Sequence, residues 1–276
     1  MTEALDGALC KSCRMVQFDP AIRAFYQNRY VEAMRLTESG QGRLEFVRTQ
    51  ELLRRHLSPA SDVLDVGGAS GVHAAWLAGD GHRVVLVDPV ETHVRQASAV
   101  GTFVAQVGDA RELRQQDESV NAVLLLGPLY HLVDAYDRAK ALAEAVRVTQ
   151  PGGLVVAAGI SPYAGLLEFG SNGGLRDTNE RGLVDSIVTH RHHDDPQGFT
   201  NAYFHHPEEL RYELQAAGLA GVEVVGVEGP AAAMLHDADA EQTARLLPSA
   251  IRLAQLVESD PRMMSTSPHL LAVGHR

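Results

Sequence analysis

The chain has very little cysteine and very little lysine. Its 276 residues include two cysteines, Cys10 and Cys13, and two lysines, Lys11 and Lys140. Two cysteines three positions apart exclude a disulfide framework, and so few lysines leave little basis for Schiff-base chemistry. The cysteine pair would supply only half of a zinc site. A flexible N-terminus over residues 1–17, with no metal, is the simpler prediction.

Long hydrophobic runs are also missing. The longest, around Val123–Leu126 and Leu154–Ala158, are too short to cross a bilayer. The beginning of the chain lacks the basic start and apolar run of a secretory signal. We therefore expect a cytoplasmic protein with no membrane partner.

Positive charge is scarce as well. Lys and Arg number 24 against 35 Asp and Glu, which gives a formal net charge of −11. Proteins that bind nucleic acids normally carry a surplus of Lys and Arg to neutralise phosphates, so we expect no nucleic-acid partner. The hydrophobic fraction of 45% is ordinary for a globular protein that buries a core without covalent staples.

Short apolar strands alternate with helical segments through the middle of the chain. The five predicted strands are Asp62–Val66, Arg83–Val87, Phe103–Val107, Asn121–Leu126 and Leu154–Ala158. Strands that are apolar on both faces and separated by helices indicate a parallel sheet covered on both sides. With Val222–Val227 and Leu270–Val273 as candidate final strands, the pattern predicts an α/β fold with a doubly wound, mostly parallel, seven-stranded sheet.

The remaining segments predict additions around this sheet. Residues 18–60 have apolar residues at helical spacing and form a predicted helical lid, followed by a core over residues 61–276. Between 161 and 206 the periodicity fades, which predicts a substrate-side loop. Residues 231–258 are largely helical and predict an insertion before the last strand.

A glycine-rich turn between the first strand and the first helix is the strongest chemical signal. In an open α/β sheet, ligands bind at the carboxyl ends of the strands. The dinucleotide pattern G-x-G-x-x-G would need glycine where Ala69 and Val72 stand. The pattern acid-x-G-x-G-x-G fits Asp65, Gly67 and Gly71, with Ala69 as the one departure. A carboxylate before the first glycine disfavours a pyrophosphate and suits a ligand with an ammonium and a sulfonium group.

Four further motifs follow or precede the other strands in chain order. They are Asp88, Gly108-Asp109-Ala110, Leu126-Gly127-Pro128-Leu129-Tyr130-His131 and Pro151-Gly152-Gly153. With the glycine-rich turn, this ordered set resembles the class I S-adenosylmethionine-dependent methyltransferases over roughly residues 62–160. The resemblance implies a Rossmann-like fold and S-adenosyl-L-methionine as cofactor.

The same resemblance implies which residues hold the cofactor. Asp88 would bind the ribose hydroxyls, Asp109 would lie near the adenine amino group, and Tyr26 would cover the methionine end. Alanine at position 69 is expected to cost little, because it is nearly as small as glycine. The full predicted cofactor set is Tyr26, Asp65, Gly67, Gly68, Ala69, Gly71, Asp88, Pro89, Gly108, Asp109, Ala110, Leu126 and Gly127.

Tyr130 and His131 are the predicted catalytic pair, because they follow the fourth strand, beside the expected position of the methyl group. Histidine can accept a proton near neutral pH, and tyrosine can orient a substrate. Tyr30, His205 and His206 are predicted to bind the substrate. Other histidines lie between residues 190 and 206, but their spacing matches no compact metal motif.

These features predict methyl transfer from S-adenosylmethionine to a small organic acceptor at O, N or C. The family resemblance favours specialised metabolism and natural product biosynthesis. Alternatives are a methyltransferase acting on protein or tRNA, a non-catalytic sensor of adenosyl ligands, and an NAD-dependent oxidoreductase, which Asp65 and Val72 disfavour. A homo-oligomer remains open.

Overall fold

The computed structural model describes residues 36–193 and 201–276. The predicted N-terminal segment 1–17 and the predicted site residues Tyr26 and Tyr30 lie outside these residues. The strands are β1 (Asp62–Val66), β2 (Arg83–Asp88), β3 (Val104–Val107), β4 (Val120–Leu125), β5 (Thr149–Ile160), β6 (His192–His193), β7 (Ala202–Tyr203), β8 (Ala220–Gly226) and β9 (His269–His275). The helices are α1 (Gly40–His56), α2 (Val72–Gly79), α3 (Glu91–Val100), α4 (Pro128–His131), α5 (Ala135–Val148), α6 (Ala164–Asn172), α7 (Thr178–His190), α8 (Pro207–Ala216) and α9 (Ala240–Val257).

A seven-stranded sheet in the order β3-β2-β1-β4-β5-β9-β8 organises the part of the chain that the structure describes. The first five strands pair in parallel, and β9 runs antiparallel between β5 and β8. The predicted fold class is therefore confirmed. Chain order reverses between β1 and β4, which places a switch point at their carboxyl ends, where ligands bind in sheets of this kind.

Both faces of the sheet are apolar and covered. On β1, Leu64 and Val66 point to one core, which α5 and α8 complete, while Val63 points to the other, where α1, α2 and α3 pack. Alternate residues of a strand face opposite sides, so a strand with covers on both sides is a continuous apolar run. This is the physical reason why the strand pattern was readable in the sequence.

Helix α1 is fixed to the far edge of the sheet. Its Arg48 is fully buried, donates from Nε to the Val227 carbonyl at 3.2 Å, and forms ion pairs with Glu51 and Glu258. Ser39 caps the helix by accepting from the Gly42 amide at 2.9 Å. The described part of the predicted lid is thus a helix anchored to the core.

The prediction of a loop over residues 161–206 was wrong for its first part. Helices α6 and α7 occupy most of it, and Asp177 caps α7 by accepting from the amides of Asn179 and Glu180. The glycines and polar residues of this stretch obscure its periodicity, and only a few of its side chains are buried. Helix periodicity shows in a sequence only when one helix face is buried in a core.

Two other predictions concern the start of the fifth strand and the segment before the last strand. The motif Pro151-Gly152-Gly153, which the sequence places before the fifth strand, lies within β5, because the Gly152 amide donates to the Arg276 carbonyl and the Arg276 amide donates to the Gly153 carbonyl. Residues 231–258, predicted as a helical insertion, hold most of a 3-10 helix over Gly229–Leu235 and then α9. Among the helices of the described residues, none is long and apolar enough to cross a membrane.

Candidate active site

Two adjoining cavities open at the carboxyl ends of β1, β2 and β4. The first lies over β2, and the second lies between β1 and α1. Residues of both the glycine-rich turn and the post-β4 motif line both cavities. The shared lining residues are Gly67, Ala69, Gly127 and Tyr130.

The glycine-rich turn needs left-handed backbone at three positions. Gly67 and Gly71 have φ values of 71° and 87°, and Ala69 has a φ of 49°. A side chain at Gly67 would also collide with the Pro128 ring, at 2.8 Å from its Cγ. We expected alanine at position 69 to cost little stability because it is small. The backbone conformation at this position, and not the size of the side chain, sets the cost. Alanine fits the space, but its left-handed conformation costs about 1–2 kcal/mol.

Asp88 closes the turn at the end of β2. One carboxylate oxygen accepts from the Ala69 amide at 2.9 Å, and the other accepts from the Val90 amide at 2.9 Å and lies 3.2 Å from His93 Nδ1. The carboxylate is almost fully buried and lines the first cavity. The Asp88 carboxylate thus stabilises the glycine-rich turn and also forms part of the wall of the first cavity.

Asp65 is the most unusual acid of the site. It is 1% exposed, its Oδ2 has no hydrogen-bond partner among the described residues, and it lines the second cavity. Burial, with a smaller contribution from the charge of Asp88, raises the pKa of Asp65 to about 7. A buried carboxylate without a partner costs stability, and a carboxyl with a raised pKa at a cavity wall is a candidate functional residue.

The motif after β3 forms the far wall of the first cavity. Gly108 and Asp109 line it, and the Asp109 carboxylate accepts two hydrogen bonds from the Arg111 guanidinium at 2.9 and 2.8 Å. A Cβ on Gly108 would lie 2.7 Å from Val87 Cγ1, so glycine is required for this close approach. The predicted cofactor residues that line one or both cavities are Asp65, Gly67, Gly68, Ala69, Asp88, Pro89, Gly108, Asp109, Ala110, Leu126 and Gly127.

Tyr130 and His131 lie on the short helix α4. Tyr130 lines both cavities, while His131 lines the first, and the two rings meet edge to face with centroids 4.7 Å apart. Burial lowers the pKa of the His131 imidazole to about 4, against smaller opposing effects of the Asn201 carbonyl and Asp88. His131 is therefore uncharged at neutral pH and a weak proton acceptor.

The two histidines predicted to bind substrate lie elsewhere. His205 is fully buried behind β5, with its Nε2 3.4 Å from Glu213 and its ring edge to face with Tyr203. His206 precedes α8, and its amide donates to Glu209 at 3.2 Å. Neither lines the two cavities as the described residues form them, so their role in binding substrate stays a prediction without support from the geometry.

The second cavity has polar residues that the sequence pattern did not indicate. Glu45, Thr49 and His73 come from helices α1 and α2, and His269 comes from the start of β9. Glu228 lies directly behind His269. The sequence contained a signal for Glu228 and His269. Glu228 directly follows the predicted strand Val222–Val227, and His269 directly precedes the predicted strand Leu270–Val273. In an antiparallel pair, those two ends meet.

Known proteins resemble this chain in sequence and in fold. A family model described as a methyltransferase domain matches residues 64–157. Demethylmenaquinone methyltransferase of Mycolicibacterium vanbaalenii is 34% identical over 117 residues, which is 42% of this chain and 49% of that protein. The chain thus aligns with about half the length of this curated relative.

Solved structures share the fold at low sequence identity. A methyltransferase of Thermotoga maritima, described as a possible histamine N-methyltransferase, has a TM-score of 0.57 at 16% identity. The aligned region covers 92% of this chain and 98% of that protein. A Haloferax volcanii methyltransferase, solved in complex with the Trm112 activator, has a TM-score of 0.57 at 19% identity and covers 92% and 96%. The [4+2]-cyclase SpnF has a TM-score of 0.51 at 17% identity and covers 84% and 80%.

Proposed function

We propose that this chain, which belongs to the class I S-adenosylmethionine-dependent methyltransferases by its fold and its methyltransferase domain, transfers the methyl group of S-adenosyl-L-methionine to a small organic acceptor. The observation that carries the proposal is the Asp65 carboxylate, buried at the wall of the second cavity with an oxygen that has no hydrogen-bond partner within residues 36–193 and 201–276. The α-ammonium group of the cofactor is the cation that this position suits.

The residues around the two cavities fit the other parts of the same cofactor. Asp88 and Asp109 would hold the ribose and the adenine in the first cavity, where Val66 and Val87 provide apolar walls. Gly67 and Gly68 let the turn that would face the methionine part pack closely against its neighbours, because a Cβ on either would collide with Pro128 or Asp65. The cofactor supplies an electrophilic methyl group on a cationic sulfur.

The chain's own contribution to the chemistry is positioning. Tyr130 lies where the two cavities join, beside Gly67 and Gly127, and we assign it the orientation of the acceptor. His131, uncharged at neutral pH, would act as a hydrogen-bonding group of the same wall. Holding the reacting atoms in line and keeping water out can supply about 7–11 kcal/mol of the barrier.

A small, largely apolar acceptor agrees with the walls of the second cavity. Its apolar lining residues are Leu36, Val72, Leu126, Ala158, Val227 and Leu271. Such a lining with a few convergent polar groups is typical of small-molecule sites, and the net charge of −11 disfavours tRNA as acceptor. We further propose a cytoplasmic role in specialised metabolism.

Calorimetric titration with S-adenosylmethionine, S-adenosylhomocysteine and NAD tests this proposal. Both adenosyl ligands should bind in the micromolar range, and NAD should not bind. Because an ammonium group favours the charged carboxylate, binding near pH 6.5 should release protons from Asp65, and the measured enthalpy should depend on the ionisation enthalpy of the buffer. Binding of NAD alone would refute the proposal.

Two variants on the same strand sharpen the result. Asp65→Asn should weaken binding of both adenosyl ligands about 10- to 100-fold, which is the cost of losing a charge-assisted hydrogen bond, and should abolish the dependence on buffer. Asp62→Asn is the matched control, because Asp62 is also on β1 but forms an exposed ion pair with Arg83. Equal affinities for the two variants would show that Asp65 does not contact the ligand.

A further inference from the structure

The antiparallel strand β9 brings a histidine to the edge of the sheet where the cavities open. Its first residue, His269, pairs with Ile160 at the carboxyl end of β5. β8 runs parallel to β5, so Glu228, two residues beyond the end of β8, reaches the same edge. Two residues from separate parts of the chain therefore meet at the wall of the second cavity.

Glu228 holds the His269 imidazole in one orientation. Glu228 Oε1 lies 2.5 Å from His269 Nδ1, and Glu228 Oε2 accepts from Ser267 Oγ at 2.7 Å and from the His269 amide at 3.0 Å. Glu228 is fully buried, while His269 lines the second cavity together with Gly67 and Tyr130. With its proton on Nδ1, the ring has Nε2 in its proton-accepting form.

A third acid, Glu45, approaches the same ring from α1, with its Oε2 3.8 Å from His269 Nδ1. Two carboxylates and one imidazole can bind a transition metal. A separation of 2.5 Å between Nδ1 and Oε1 is, however, a hydrogen-bond distance and leaves no space for an ion between the two atoms. The geometry favours a shared proton, and the second acid adds negative charge that stabilises an imidazolium.

We propose that His269 is the general base that removes a proton from the acceptor, with Glu228 as its positioning residue. This inference rests on the proposed function. In the step, the acceptor O–H proton goes to His269 Nε2 and the oxygen forms a bond to the methyl carbon. The bond between that carbon and the sulfur of S-adenosylmethionine breaks, and its electron pair stays on the sulfur, which leaves as a neutral thioether.

The need for a base identifies the acceptor class as a hydroxyl compound, such as a phenol or an enol. A neutral amine attacks through an existing lone pair and needs no proton removed beforehand. A hydroxyl is a poor nucleophile until its proton is taken, so a His–Glu pair beside the cavity suits such a group. His131, with its pKa near 4, is much less suited to this task.

The pH dependence of this step involves several groups around the ring. Glu45 faces it from α1, Glu228 from the segment after β8, and Asp65 and His73 line the same cavity from β1 and α2. Glu228→Gln removes the charge that stabilises the imidazolium, so the acid limb of the rate profile should move to lower pH. Asp65 titrates near pH 7, and its contribution is separated by recording the same profile in Asp65→Asn.

Nitrogen NMR of the imidazole rings tests the arrangement without any substrate. At about pH 8 the wild-type His269 ring should carry its proton on Nδ1, and Glu228→Gln should shift the ring to a mixture of tautomers. Titration with 1-naphthol in the presence of S-adenosylhomocysteine should move the Nε2 resonance, while naphthalene should not. A wild-type ring with its proton on Nε2, or no response to 1-naphthol, would overturn the proposal.

Turnover provides the second test, with a panel of phenols and the matching anilines as acceptors and S-adenosylhomocysteine formation as readout. The enzyme should methylate phenols, and His269→Gln should lower that rate at least about 10²-fold while its affinity for S-adenosylhomocysteine stays unchanged. His236→Gln is the matched control, because His236 faces Glu168 at 3.4 Å outside both cavities, and its rate should equal that of the wild type.

The outcomes separate the two proposals. If the wild type binds S-adenosylhomocysteine but methylates only anilines, or no member of the panel, the assignment of His269 and of a hydroxyl acceptor fails while the proposed function stands. If S-adenosylhomocysteine does not bind, the proposed function itself fails.

Discussion

Burial changes the chemistry of individual residues at this site in opposite directions. Removal from water lowers the pKa of the His131 imidazole to about 4 and raises the pKa of the Asp65 carboxyl to about 7. In both cases the low-dielectric surroundings favour the uncharged form. A sequence motif names the residue type but carries no information about burial. The choice between His131 and His269 as the base therefore depends on the structure.

The pKa of His131 has a consequence for stability. Between about pH 4 and pH 6.5 the unfolded chain binds a proton at this residue and the folded chain does not, so the free energy of unfolding falls as the pH falls through this range. His131→Asn removes the effect. Relative to the wild type, the variant should gain about 1–2 kcal/mol of stability between about pH 7.5 and pH 5, as measured by urea unfolding.

The exposed His192→Asn is the comparison for this measurement. It should show a much smaller change over the same pH range. If His131→Asn behaved like His192→Asn, the imidazole of His131 would not be desolvated in the folded protein.

At the scale of elements, helix α1 joins the second cavity to the C-terminal part of the sheet. Arg48 binds the carbonyl of Val227, which directly precedes Glu228, while Glu45, on the same helix, lines the cavity. The position of the His269–Glu228 pair thus depends on a helix that precedes the first strand by a few residues.

Removal of the Arg48 side chain should be strongly destabilising. Arg48→Met removes the fully buried member of two ion pairs and the donor to the Val227 carbonyl, and breaking a buried ion pair costs about 3–5 kcal/mol. Arg55→Met is the matched control, because Arg55 pairs with the same Glu51 and Glu258 on the same helix but is 39% exposed. Its cost should stay below about 1 kcal/mol. Equal losses in denaturant unfolding would show that Arg48 does not anchor the helix.

At the scale of the whole molecule, all seven strands form one continuous sheet. The methyltransferase-domain family model matches only part of it. The match to residues 64–157 reaches into β5, but β9 pairs with β5 from Leu154 to Ile160 and with β8 on its other side. Apolar residues from the early strands and from β8 and β9 form common cores on both faces. The second cavity is likewise lined by residues from α1 and from β9.

This continuity predicts a single cooperative unfolding transition, although chains of this length often unfold in steps. The one tryptophan, Trp76 on α2, lies under the Arg54 guanidinium at 5.0 Å and reports on the glycine-rich end. Its fluorescence and the far-UV circular dichroism should therefore change with the same midpoint. Two separated midpoints would show that the C-terminal strands form an independent unit.

The amino-acid sequence by itself determined the parallel part of the sheet and the glycine positions at the carboxyl ends of β1 and β3. Strands buried on both faces must be apolar throughout, and the close approaches at Gly67 and Gly108 admit only glycine without rearrangement, so both features are visible as local patterns. Only the tertiary structure decided the left-handed strain at Ala69, the charge states of Asp65 and His131, and the meeting of Glu228 with His269. These properties arise from burial and from contacts between distant segments, which no local pattern of residues records.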